Sequence, residues 1–201
     1  MIHRAFFCAR CTQGRRATPG TGRDSDVRPK GQTHLILIGL ILLGALLAYG
    51  SALQAPLFFD DKPNLNHNPL VQISGQQFDQ WRTAALSVDA GPLRRPVSMV
   101  SFAANHAVAG HFSPVSLKAV NLAIHLLTAV LVYFLAISVF KAPTLPSRDQ
   151  ATLRLGALAA MAIWLLHPLH VSTVLYSVQR MAQLAALFTV LGLWLFLHYR
   201  L

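Results

Sequence analysis

Glutamate is absent from the 201 residues, and all seven acids are aspartate. That excludes an HExxH zinc-protease helix, an EF-hand closing on Glu and any Glu-based catalytic pair. Cysteine is nearly absent as well, and two residues cannot build a disulfide framework. The lone Cys8-Ala9-Arg10-Cys11 lacks a second pair to complete a zinc site and reads as incidental. Charge is equally scarce, at 12% of residues, where a soluble domain carries about 25%. What fills the chain is apolar: 54% of residues are hydrophobic and the mean hydropathy is +0.46. Length alone would permit one or two soluble domains. The apolar runs instead predict an all-α, polytopic helical membrane protein.

Four spans are expected, at about 35–53, 117–140, 153–168 and 181–198, with a long outer loop over 54–116. The first runs 19 residues without a charge, roughly 28 Å as a helix. A signal peptide competes, because a basic segment precedes the apolar core. The core is long for that role, so an uncleaved span is preferred. The third segment is the shortest, stopping at His167-Pro168, and a re-entrant or buried helix is its alternative. Residues 1–34 hold six Arg and one Lys against two Asp, a net of +5. With so little apolar surface to bury, they read as a disordered basic cytoplasmic tail.

The basic residues also set the orientation. The tail and the 141–154 connection are both positive, whereas the 54–116 loop balances four bases with four Asp. This predicts an integral membrane protein with a cytoplasmic N-terminus; a bacterial inner membrane is the expected location. The formal charge of +10 is then topology information. No basic patch interleaved with aromatics points to nucleic acid.

Chemistry is expected in the outer loop. Phe58-Phe59-Asp60-Asp61-Lys62 follows the first span directly. Two neighbouring carboxylates on a poorly solvated surface suit a general base. The bland alternative is that one of them starts a helix ahead of Pro63. An amphipathic helix over 78–86 with Trp81 at the interface is also predicted. Arg94-Arg95-Pro96 then precedes an apolar-leaning helix over 97–108, and paired Arg can grip phosphate, whether of a substrate or of lipid. In the second span Lys118, Asn121, His125 and Thr128 share one helical face. That face is expected to line a bundle interior or wet cavity, or to tie helices together. His167-Pro168-Leu169-His170 is a poor metal half-site, and no metal is expected. Tyr176, Arg180 and Gln183 share a face at the start of the last span. An Arg there fits an anionic ligand or a structural pairing with an outer Asp.

In order and spacing these motifs resemble the transmembrane and tetratricopeptide-repeat O-mannosyltransferase-like proteins, whose membrane part belongs to the GT-C glycosyltransferase superfamily. The stretches that carry the resemblance are 58–66, Arg95-Pro96-Val97, Val120-Asn121-Leu122-Ala123-Ile124-His125, His167-Pro168-Leu169-His170 and Tyr176-Ser177-Val178-Gln179-Arg180-Met181. The resemblance implies transfer of a sugar from a polyprenyl-phosphate carrier to a protein or glycan acceptor on the extracytoplasmic face. The lipid-linked sugar is then a substrate, and no cofactor is implied. Asp60 and Asp61 would be the catalytic carboxylates. Arg94, Arg95 and Arg180 would hold the lipid phosphate, while Lys118, Asn121, His125, His167 and His170 would line the cavity. Ser172 stands where the family usually has Glu. The later spans and repeats of the family lie beyond what this sequence contains, so a fragment, or a protein needing a second chain, is expected. A non-enzymatic membrane scaffold or assembly subunit and a transporter fragment are the rival readings.

Overall fold

The computed structural model describes residues 30–88, 95–143 and 149–200. The Cys8–Cys11 pair and Arg94 lie outside them. All regular structure among the described residues is helical: α1 (Lys30–Gly50), α2 (Phe78–Ala85), α3 (Pro96–Ala109), α4 (Pro114–Phe140), α5 (Gln150–Leu166), α6 (His170–Leu175) and α7 (Arg180–Arg200). Three segments are long and apolar enough to cross a membrane, Gln32–Gln54, Pro114–Phe140 and Ser177–Arg200, while α5 is shorter.

Helix α1 starts at Lys30, so the last residues assigned to a disordered tail are helical. Nothing between Lys30 and the apolar run breaks a helix, and charges at a membrane edge are compatible with one. Helix α4 starts earlier than its apolar run because Pro114 supplies the fixed φ of a first turn. Helix α5 starts at Gln150 because the Asp149 carboxylate accepts from Thr152 N–H at 3.1 Å and also from the Thr152 hydroxyl, a side-chain cap. It ends before Pro168, as the sequence implied.

Helix α4 is the hub. Tyr49 of α1 meets His125, whereas His34 and Lys141 share a cleft, so α1 and α4 are antiparallel. Helix α5 is antiparallel too: Gly156 sits against Phe140, and the Leu165 carbonyl accepts from the His125 ring. Helix α7 runs parallel to α4, with Arg180 beside Leu117 and Trp194 beside Phe134. The main core gathers where α1, α4, α5 and α6 meet, around Ala129, Tyr133, Ala157, Met161 and Leu165. Large apolar side chains cover the outside of α1, Leu35, Leu40 and Leu47 among them. Such a surface is stable against lipid rather than water.

The connection between α1 and α4 folds onto one end of the bundle. Leu65, Val71, Met99, Phe102 and Leu117 form a second apolar cluster there. A third joins Ile73, Ala84 and Ala103, with Trp81 and Ala107 packed against it. Trp81 is therefore a packing residue: its indole N–H donates to the Gly75 carbonyl at 3.1 Å. Gly75 needs its glycine, because φ is +80° and a Cβ would stand 3.1 Å from Ala107.

Candidate functional site

The turn that joins α6 to α7 collects Asp60, Asp61, Asn121, Tyr176 and Arg180. Asp60 and Asp61 both reach it, in different ways. Asp61 is fully buried. Its Oδ1 accepts from Val178 N–H at 2.7 Å, and its Oδ2 accepts from Ser177 N–H at 3.4 Å and Phe58 N–H at 3.3 Å. A carboxylate receiving backbone donors ahead of a helix start is well placed electrostatically. Asp61 thus caps a distant helix 117 positions along the chain, not the local Lys62–Asn66 turn, where its side chain makes no capping bond.

Asp60 is exposed. Its backbone is fixed on both sides, with N–H donating to the Tyr176 hydroxyl at 3.0 Å and the carbonyl accepting from Asn64 Nδ2 at 2.8 Å. Its carboxylate is solvent-exposed and interacts with the Tyr176 hydroxyl. The expectation of two carboxylates crowded on one poorly solvated surface is therefore corrected, since one points inward and the other outward. The Tyr176 oxygen accepts from Asp60 N–H, and its own proton is directed toward the Asp60 carboxylate. Burial, ahead of the nearby aspartate charges, pushes this phenol above its usual range and holds it protonated.

Arg180 is also fully buried and is spoken for by oxygens of the chain. Nε donates to Asn121 Oδ1 at 2.8 Å and Nη2 to the Leu117 carbonyl at 2.8 Å. Nη1 donates to Asn105 Oδ1 at 2.8 Å, the Ser101 carbonyl at 3.1 Å and Ser101 Oγ at 3.4 Å. The guanidinium lies 4.4 Å from the centre of the Phe102 ring, a favourable stacking geometry. In this packing it ties α3, α4 and α7 together and presents no free face to a phosphate. Its partners among the described residues are neutral oxygens, not an outer aspartate.

Asn121 completes the tie. Its amide donates to the carbonyls of Val174, Tyr176 and Ser177 at 3.2–3.3 Å. Lys118, one turn earlier and also buried, donates to the Ala55 and Pro56 carbonyls, with Phe58 5.6 Å beneath its Nζ. The polar face of α4 therefore looks inward, and its first two members clamp the segments on either side of the aspartate doublet. Thr128 turns back to the Ile124 carbonyl of its own helix.

The histidines form a separate group. His170 Nδ1 donates to the Trp164 carbonyl at 2.8 Å, and its ring lies 5.1 Å from His125 and 5.9 Å from His167. His125 and His170 line a cavity of about 170 Å³ with Thr128, Trp164 and Gln183. His167 is exposed and accepts from Leu169 N–H at 3.3 Å. No group of three or more metal-binding side chains occurs among the described residues.

Arg95 is exposed at the start of α3, with Nη1 3.1 Å from Met181 Sδ. It has φ +46°, and Phe59, next to Asp60, has φ +37°. These are the non-glycine residues with positive φ among the described residues, and both belong to the predicted site. Side chains pay a steric penalty in that region, typically about 1–3 kcal/mol, and such strain gathers at functional sites. Sequence reasoning missed Ser101, Phe102 and Asn105. The polar pair Ser101 and Asn105, four residues apart on an apolar-leaning α3, was the available signal.

The chain is similar to the protein O-mannosyl-transferase Tmtc1 of Drosophila melanogaster. The two are 30% identical over 177 residues, which cover 84% of this chain and 19% of that protein. The chain thus spans about a fifth of its relative's length. A distant relationship is what that identity supports. No family model matches the chain, and no solved structure does.

Proposed function

We propose that this chain belongs to a membrane glycosyltransferase that moves a sugar from a polyprenyl-phosphate carrier to a hydroxyl of a protein or glycan outside the cytoplasm. The observation that carries the reading is the split of the aspartate doublet. A buried Asp61 fixes the turn before α7, while Asp60, next to the strained Phe59, presents an exposed carboxylate beside the Tyr176 hydroxyl. The similarity to an O-mannosyl-transferase supports the same chemistry, and a mannosyl donor is the first to test.

In the reaction, Asp60 takes the proton of the acceptor hydroxyl as that oxygen attacks the anomeric carbon. The bond from that carbon to the phosphate oxygen breaks, and the carrier leaves as polyprenyl phosphate. A phosphate leaving group needs no proton. Arg95 neutralises its developing charge, and the Tyr176 hydroxyl beside Asp60 orients the base. Arg180 acts at one remove by holding the turn that bears Tyr176.

Four crossings belong to the same reading. Helices α4 and α7 run in the same direction, so a chain crossing with both must return between them. Helix α5, about 25 Å long at 1.5 Å per residue, is the segment that can do so. The basic end, with Lys141, Arg154 and Arg200, then faces the cytoplasm together with the N-terminus.

The test is transfer of radiolabelled mannose from a polyprenyl-phosphate donor to an acceptor peptide by the chain in liposomes. Asp60→Asn should lower transfer by roughly 10²–10⁴ with insertion and yield unchanged. Transfer unaffected by that change would remove the base and leave the buried network as a packing device.

A further inference from the structure

At the end of the bundle away from Asp60, α1, α4 and α5 enclose a cleft of about 410 Å³. Its walls are apolar, made by Ile38, Tyr133, Ile137 and Leu153, and its mouth carries His34, Lys141 and Arg154. Tyr133 and Lys141 are eight residues apart on α4, so the groove runs roughly 12 Å from its basic rim into the bundle. No acid lines it among the described residues. The nearest, Asp149, has its carboxylate turned to the Thr152 amide and hydroxyl. His34 Nδ1 is buried there without a hydrogen-bond partner in the described chain. A buried ring nitrogen left so costs about 1–3 kcal/mol unless something else satisfies it.

We propose that this cleft is a binding site for one anionic phospholipid, its phosphate held between Lys141 and Arg154 with His34 beside it and an acyl chain lying along Ile38, Tyr133 and Ile137. Each part of the cleft matches one part of such a molecule. The Arg fork and the Lys ammonium suit phosphate oxygens, and the apolar groove suits the first carbons of an acyl chain. A free phosphate would leave the groove unused. A second copy of the chain, whose described surface at this end is basic as well, would meet like charge. The inference is independent of the sugar-transfer reading.

The experiment measures thermal unfolding of the full chain in a neutral detergent with phosphatidylglycerol, phosphatidylcholine or inorganic phosphate added. Phosphatidylglycerol should raise the midpoint, and the other two should not. The double variant Lys141→Gln/Arg154→Gln should weaken the apparent affinity for phosphatidylglycerol about twenty-fivefold, at roughly fivefold per basic residue near a charged lipid. Ile137→Trp, which fills the groove and keeps both charges, should also abolish the shift. Should the double variant fail to fold, the wild-type shift itself must shrink when salt rises from about 0.1 M to about 1 M. An equal shift with phosphatidylcholine, an equal shift with phosphate alone, a shift that follows protein concentration, or one indifferent to salt would each overturn the proposal.

Discussion

Replacing Asp61 with Asn keeps the shape of the side chain and removes its charge, and the three bonds around it allow the cost to be worked out. The carboxamide oxygen can still accept from Val178 N–H, the shortest of the three at 2.7 Å. The amide NH₂ must then occupy the Oδ2 position, where it faces the N–H groups of Ser177 and Phe58 at 3.4 and 3.3 Å. Donor meets donor, and two backbone groups lose their acceptor. Bonds to a charged group contribute about 1.5–3 kcal/mol each, and these long ones belong at or below the low end, roughly 1 kcal/mol each. Losing a negative charge beside a helix start adds about 0.5–1 kcal/mol. The sum is about 3 kcal/mol, near a hundredfold in the folding equilibrium. Asp60→Asn, at an exposed carboxylate whose Tyr176 neighbour an amide oxygen can still accept from, should stay within about 0.5 kcal/mol. Reversible unfolding of both variants in mixed micelles, followed by tryptophan fluorescence, measures the difference. Equal stability for the two variants, or a larger loss for Asp60→Asn, would refute the division of roles.

Asn121→Ala strands Arg180 Nε and three turn carbonyls, so it should cost about 2–4 kcal/mol and loosen amide-exchange protection at residues 176–180. Arg180→Lys keeps the charge and loses the fork that serves α3 and α4 together; it should destabilise the fold by about 2 kcal/mol or more, and a variant as stable as the parent would contradict the tie. Gly156→Leu should cost about 1–3 kcal/mol by overpacking, because a Cβ there already meets the Phe140 ring at 3.0 Å; Phe140→Ala should recover part of it. The Asp149 carboxyl is held below its usual range chiefly by the Thr152 hydroxyl. A lowered acid pKa contributes stability above the unfolded value, 3.8, and loses it as pH falls through the folded one. Thr152→Val should raise the Asp149 titration midpoint in an NMR titration and shrink that acid-side loss.

Composition and periodicity determined the broad architecture. Runs of uncharged residues long enough to span hydrocarbon have few soluble solutions, and prolines at 96, 114 and 168 mark helix boundaries that the fold respects. The inward face of α4 was legible for the same reason: Lys118, Asn121, His125 and Thr128 recur at helical spacing, and polar groups avoid lipid. What Lys118, Asn121 and His125 do on that face was not legible, because their partners lie 40 to 63 positions away. Only the tertiary structure separated Asp60 from Asp61, since adjacent identical residues carry identical local signals and differ only in what folds against them. It alone turned Arg180 from a ligand-binding candidate into a strut. A guanidinium's role depends on which oxygens reach it first, and here α3 and α4 supply them.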